Sequence, residues 1–213
     1  MKLAEDLAQG LAALNLPLSA TQQGLLLDYL ALLAKWSKVY NLTAVREPES
    51  MLRLHLLDSL AALPPLLRHT QGAATRVLDV GSGGGLPGSA FAIAAPELSV
   101  TCVDTVAKKT RFITQVAAEL GLKNLQSEHA RVEEMKAAPF PVITSRAFAS
   151  LPDFVQLSRS LLAPGGVWMA LKGQHPAEEI AALPADIDVF HVEQLQVPGL
   201  DAQRCIIWMR LRS

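Results

Sequence analysis

Residues Asp79-Val80-Gly81-Ser82-Gly83-Gly84-Gly85 gather the residue types that let a backbone approach a ligand closely. A tight turn between a strand and a helix accounts for one or two glycines, but hardly for four in five positions. Two spacings overlap here. Gly83-x-Gly85-x-x-Gly88 matches the dinucleotide fingerprint, whose amides receive a pyrophosphate, although it starts two residues late and sets Pro87 at the helix start. Asp79-x-Gly81-x-Gly83-x-Gly85 instead sets an acidic residue at a strand end, followed by glycines at alternate positions. Asp104 lies roughly twenty residues beyond the loop, where a carboxylate accepts hydrogen bonds from ribose hydroxyls. It supports nucleoside binding without choosing between the spacings.

Other candidates fall on neighbouring loops. Ala130-Arg131-Val132-Glu133 offers an amide and an apolar side chain for a flat base, and Glu133 accepts from an amine or caps a helix. Ser145-Arg146-Ala147-Phe148 follows the next strand. His55, Asp58 and Ser59 include triad residue types, but spacings of i, i+3 and i+4 on one helix read as a structural hydrogen-bonded cluster. No acid–base pair is convincing, and no catalytic residue is assigned. Cys102 and Cys205 sit in apolar runs without CxxC spacing and read as buried free thiols. The five histidines are scattered, so no metal site is expected.

The elements that must position these residues follow from periodicity. Leu3, Leu7, Leu11 and Leu14 share a helix face that ends before Pro17. Ser19 to Gln22 is a capping box, and the helix it opens is apolar nearly all round from Leu25 to Trp36, so it packs on a larger body. Pro48 opens a third helix carrying Met51, Leu54, Leu57 and Leu60, which stops at Pro64-Pro65. From residue 75 strands alternate with helices: strands at 76–80, 98–103, 123–128, 141–145 and 165–171, helices at 87–95, 106–120 and 151–162. That alternation implies βαβ units, a parallel sheet and a ligand edge at the strand carboxyl ends. Residues 186–197 and 204–211 flank Pro198-Gly199-Leu200-Asp201 and read as an antiparallel hairpin. The expected organisation is a helical extension over 1–70 and a single globular α/β unit over 71–213.

The chain has 213 residues, 19 Lys plus Arg, 20 Asp plus Glu and a net charge of −1. The balance excludes a generally basic nucleic-acid coat and an acidic tail, and leaves room for a local basic patch. No stretch is long and apolar enough to span a membrane, and the start lacks a signal-peptide pattern, so a soluble cytoplasmic protein is expected.

The spacing Asp79-x-Gly81-x-Gly83-x-Gly85 resembles the first motif of S-adenosylmethionine-dependent methyltransferases. An antiparallel last strand belongs to that Rossmann-like fold, a mostly parallel seven-stranded sheet, whereas a dinucleotide domain continues in parallel. The Asn/Asp-Pro-Pro-aromatic run of many amino-group methyltransferases is absent after the fourth strand, as is a nucleophilic cysteine. WSKVYNLTAVR (36–46), HLLDSL (55–60), DVGSGGGLPG (79–88), RFITQVAAELGL (111–122), Arg131-Val132-Glu133, SRAFASL (145–151) and ALKG (170–173) together closely resemble the bacterial 16S ribosomal RNA guanine-N7 methyltransferases, the small subunit methyltransferase G or glucose-inhibited division protein B family. Ala130 departs from the family's usual Ser, and Cys205 from a common His.

The resemblance implies S-adenosyl-L-methionine as cofactor, with Gly81, Leu86, Val132, Glu133 and Arg146 around it. Gly83 and Asp104 join that set from the loop and ribose readings. It also implies 16S ribosomal RNA or the small subunit as partner, and a monomer is expected. Arg46, Arg131, Lys172 and Arg204, with Arg53 in support, are the candidate RNA-phosphate contacts. Lys108, Lys109 and Arg111 form a second basic cluster of lower weight, which a solvated helix face also explains. A methyltransferase of another substrate class and a non-enzymatic NAD-binding module are the competing readings.

Overall fold

Ser19 opens the second helix as its capping box dictates: its side chain accepts from the Gln22 amide, and the Gln22 side chain accepts from the Ser19 amide. In the computed structural model, which describes residues 2–148 and 150–212, α1 (Lys2–Ala13) precedes this helix, α2 (Ala20–Tyr40). Asn41, at φ 51°, stops α2 in the left-handed conformation and returns its amide to the Ser37 carbonyl. Leu26, Tyr29, Leu30 and Leu33 bury one side of α2, each aliphatic one contributing about 2 kcal/mol.

The next helical run differs from its expected form. It begins as α3 (Pro48–Met51), widens into a π-helical turn at Leu52–Leu57, and resumes as α4 (Asp58–Leu60). The extra residue rotates the faces, so Leu52 and Leu56 are buried while Leu54 is partly exposed. Pro64 and Pro65 do not end a helix. They occupy the first turn of another, α5 (Leu63–Thr70), where a proline's missing amide costs nothing.

Seven strands follow in the order β3-β2-β1-β4-β5-β7-β6. They are β1 (Thr75–Val80), β2 (Leu98–Asp104), β3 (Leu125–His129), β4 (Phe140–Ser145), β5 (Leu162–Lys172), β6 (Ile187–Leu195) and β7 (Arg204–Leu211). β1 pairs in parallel with β2 and β4, whereas β7 runs antiparallel to both β5 and β6. The crossover helices are α6 (Gly88–Ala94), α7 (Ala107–Glu119) and α8 (Leu151–Ser158). α8 is shorter than expected because a tighter turn, Arg159–Leu161, leads into β5. A short helix, α9 (Ala177–Ala181), precedes β6 and carries no buried residue, so no apolar period marks it in the sequence.

The strands alternate between two cores. Val77, Val100, Val142, Met169 and Trp208 face one layer, built by α1–α7, and Leu78, Val103, Ile143, Trp168 and Met209 face the other, which includes α8. The helices over 2–70 therefore share one continuous core with the sheet. The helical start of the chain is part of the scaffold on which the strand ends stand.

Candidate functional site

The loop after β1 is held from both sides. Gly81, Gly83 and Gly85 all have positive φ, at 67°, 58° and 87°, which only glycine adopts freely. The amides of Gly81 and Ser82 donate to the Val103 carbonyl at 2.9 and 3.2 Å, tying the loop to the end of β2. From the helical layer, the Tyr29 hydroxyl donates to the Gly84 carbonyl at 2.7 Å, and Leu33 packs where a Gly84 Cβ would stand. A Cβ on Gly88 would come within 2.5 Å of Cys102 Sγ and 2.8 Å of Asp79 Oδ2.

Asp79 lies fully buried under this loop. Its Oδ2 accepts from the Gly88 amide at 2.8 Å, and its Oδ1 has no partner. Burial pushes its carboxyl up to about 7, against the pull of that amide and of the Arg146 charge. Burial likewise raises both cysteine thiols, so Cys102 and Cys205 are inert packing groups.

Asp104, at the end of β2, is the loop's anchor. Its Oδ2 accepts from the Gly83 amide at 3.0 Å, its Oδ1 from the Val106 amide at 2.9 Å, and Lys109 Nζ stands 3.6 Å away. Beside it opens a cleft of about 310 Å³ lined by Gly81, Asp104, Arg131, Val132, Glu133 and Phe148, among others. The sequence-derived set thus divides. Gly81, Asp104, Val132 and Glu133 share this cleft, and Gly83 joins them through its hydrogen bond to Asp104. The Leu86 side chain is buried in the core, and Arg146 does not line the cleft. Phe148 and Lys109 also line it.

Arg146 turns to a second cleft of about 320 Å³, lined by Leu54, His55, Asp58, Lys172, Arg204 and Leu195, among others. Its Nη1 donates to the Leu54 carbonyl at 3.2 Å, to the His55 carbonyl at 3.5 Å and to Asp58 Oδ2 at 3.3 Å. The two carbonyls belong to the π-helical turn. Asp58 Oδ1 accepts from Arg204 Nε at 2.6 Å, so one buried carboxylate holds two guanidiniums. His55 Nε2 pairs with Thr43 Oγ1 at 2.6 Å, and burial, then the Arg146 charge, lowers its pKa and keeps the ring neutral at pH 7. The sequence alone reads Asp58 as a structural residue; its place between two cations shows only once the π turn aims it.

The candidate RNA cations are dispersed and partnered. Arg46 donates to the Ser37 carbonyl at 2.7 Å and Asn41 Oδ1 at 2.9 Å, finishing α2. Arg131 pairs with Glu133 at 2.8 Å on the rim of the first cleft. Lys172 meets Glu179 at 2.8 Å, and Arg204 meets Asp58. Only Lys172 and Arg204 of these four share a cleft. Arg53, named beside them, packs near Gly199 and lines a separate cleft. Lys108 and Arg111 are exposed on α7, while Lys109 turns toward Asp104. Among the described residues no helix is long and apolar enough to cross a membrane, and no three acidic, His or Cys side chains gather as a metal site.

Solved structures share this architecture. TrmN from Thermus thermophilus superposes with a TM-score of 0.56 at 22% identity, covering 70% of this chain and 48% of that one. A ribosomal protein L11 methylase from Lactobacillus delbrueckii subsp. bulgaricus gives 0.55 at 16% identity, covering 74% and 77%. The sheet order, the antiparallel β7 and the glycine loop at the strand carboxyl edge define the S-adenosylmethionine-dependent methyltransferase fold. A family model described as rRNA small subunit methyltransferase G (GidB) matches residues 22–207. The curated protein of that name from Methylibium petroleiphilum is 63% identical across 99% of this chain and 96% of its own length. Its namesake from Acidovorax ebreus is 62% identical across 98% and 95%. The chain belongs to the ribosomal RNA small subunit methyltransferase G family.

Proposed function

We propose that this chain transfers a methyl group from S-adenosyl-L-methionine to N7 of a guanine in 16S ribosomal RNA, working in the cytoplasm as a monomer. The observation that carries the cofactor half is the first cleft. A buried carboxylate, Asp104, stands beside a loop whose Gly83 amide has open space where a side chain would be, next to an apolar wall of Val132 and Phe148. Those groups suit ribose hydroxyls and a flat adenine, and the two cations of the lining, Lys109 and Arg131, are paired with Asp104 and Glu133. Gly81, Gly83, Asp104, Val132 and Glu133 would hold the cofactor, the Leu86 backbone would border it, and Arg146 would stand between cofactor and acceptor. When bound, S-adenosylmethionine supplies an electrophilic sulfonium methyl.

The chain's own work is orientation. Guanine N7 carries an in-plane lone pair and attacks without first losing a proton, so no general base is needed, and the basic groups of the clefts are engaged elsewhere, His55 with Thr43, Asp58 with Arg146 and Arg204, and Glu133 with Arg131. Holding N7 in line with the methyl is worth about 7–11 kcal/mol where geometry is well fixed. Ala147 lines both clefts, and Arg146 and Phe148 flank it on the β4 loop, so a base in the second cleft would lie next to a cofactor in the first. The target guanine must be unpaired, because an A-form major groove is too narrow to admit the site. Calorimetry against S-adenosylhomocysteine and NAD tests the cofactor: binding of the first alone supports the reading, and binding of NAD alone contradicts it.

A further inference from the structure

Asp58 does not fit the role of a simple structural cluster residue. It is one of the few buried acidic residues among the described residues, and both of its oxygens bond cations drawn from distant segments, Arg146 after β4 and Arg204 at the start of β7. Its own approach depends on the π-helical turn, which also directs the Leu54 and His55 carbonyls at Arg146 Nη1. Such turns recur at functional sites because they redirect polar groups. The four contacts of Arg146 all use Nη1, so among the described residues its Nη2 has no protein acceptor. Arg204 spends Nε on Asp58 and Nη1 on the Gln203 carbonyl, leaving its Nη2 likewise without one. Both arginines line the second cleft.

The charge count there is simple. Arg146, Arg204 and Lys172 bring three positive charges; Asp58 and the Glu179 bonded to Lys172 bring two negative ones. His55 adds none, because it is neutral at pH 7. The cleft keeps one positive charge in excess, beside apolar walls from Leu54, Leu171 and Leu195. A guanidinium fork with one unbalanced charge suits a single phosphate, and an apolar wall suits the base attached to it.

We propose that Asp58 is a positioning residue that fixes Arg146 and Arg204 as a paired fork in the second cleft, and that the fork takes one phosphate of the acceptor nucleotide. The inference rests on the RNA-methyltransferase reading for the identity of the ligand. Its test does not need methyl transfer. Guanosine 5′-monophosphate and guanosine are titrated by calorimetry or ligand-observed NMR into protein saturated with S-adenosylhomocysteine, which blocks the first cleft. The monophosphate should bind about tenfold more tightly than the nucleoside, the size of a charge-assisted contact. Asp58→Asn and Arg204→Ala should each abolish that preference, while Arg204→Lys retains part of it. Each variant should keep its affinity for S-adenosylhomocysteine, which also shows that it is folded. Equal binding of the two ligands to the wild type, or a preference that survives both substitutions, would overturn the proposal. So would a loss confined to S-adenosylhomocysteine affinity, because the fork would then serve the cofactor's carboxylate. A failure here with intact methylation of 16S RNA would leave the proposed function standing; a phosphate preference without methylation would do the reverse.

Discussion

The two clefts meet at the β4 loop but are built from different materials. The first stands against a backbone loop: glycines at positive φ, the Gly83 amide turned to Asp104, and a carboxylate fixed by two main-chain donors. The second is made of side chains, with Asp58 between Arg146 and Arg204, and Lys172 against Glu179. Their buried carboxylates show the contrast best. Asp58 sits between two cations, whereas Asp104 accepts from two main-chain amides, and Asp79 lies buried beneath the same loop. Backbone donors suit a neutral nucleoside whose contacts are short and fixed. Charged forks suit a phosphate carried on a mobile RNA. A chain of net charge −1 can therefore present a cationic cleft, provided its acidic partners are spent locally to aim the arginines.

The contrast predicts unequal effects, beginning with Asp79. Its folded pKa of about 7 lies above its ordinary value of 3.8, so both states are protonated well below pH 4 and the group costs nothing there. As pH rises from 4 to 7 the unfolded chain ionises first, and stability falls by as much as about 4 kcal/mol from this group. Denaturant melts of wild type and Asp79→Asn across pH 4–8 should diverge steadily, with the wild type losing ground toward pH 7. A constant difference would mean that Asp79 is not held neutral.

Asp104 comes next. Replacing it with Ala removes the acceptor for Gly83 and Val106 amides as well as the proposed ribose contact, so S-adenosylhomocysteine affinity should fall about a hundredfold, near 3 kcal/mol. RNA affinity at fixed salt should change little, because this carboxylate belongs to the other cleft. Equal losses for both ligands would dissolve the division. Gly88→Ala should destabilise the fold by about 2 kcal/mol, because the new methyl meets Cys102 Sγ and Asp79 Oδ2 in a packed layer; an unchanged melting midpoint would show that the layer yields. The smallest effect is expected at Lys172. Lys172→Gln should lower RNA affinity only about threefold and reduce the salt slope by about one, as for the loss of one phosphate contact, while cofactor affinity stays put. An unchanged slope would remove Lys172 from the RNA surface.

The parts of this design that are local in sequence can be read from it. The capping box at Ser19, the seven strands, the antiparallel ending and the glycine loop all follow from neighbouring residues and their period. The π turn does not, because Met51, Leu54, Leu57 and Leu60 suit an ordinary helix, and the turn depends on what packs around it. Without it, Asp58 reads as a structural neighbour of His55. The same holds for Tyr29 and Leu33, which look like any apolar helix face but position Gly84 some fifty-five residues later in the chain. Prolines 64 and 65 mislead for a different reason: at a helix start and just beyond a helix end they look alike. Of the cofactor set, four residues share the first cleft, since each lies at or just beyond the carboxyl end of β1, β2 or β3 on the same sheet edge. The RNA set scatters more, because basic residue type says nothing about which acidic partner lies nearby.

The central claim is that the two clefts together methylate one guanine of 16S RNA at N7. The most direct measurement is mass mapping of 7-methylguanosine in 16S RNA from a strain lacking the gene, then from that strain carrying the wild-type or the Asp104→Ala gene. The account predicts that one 7-methylguanosine disappears on deletion, returns with the wild-type gene and does not return with the variant. A 16S RNA whose 7-methylguanosine content is unchanged by deletion would contradict it.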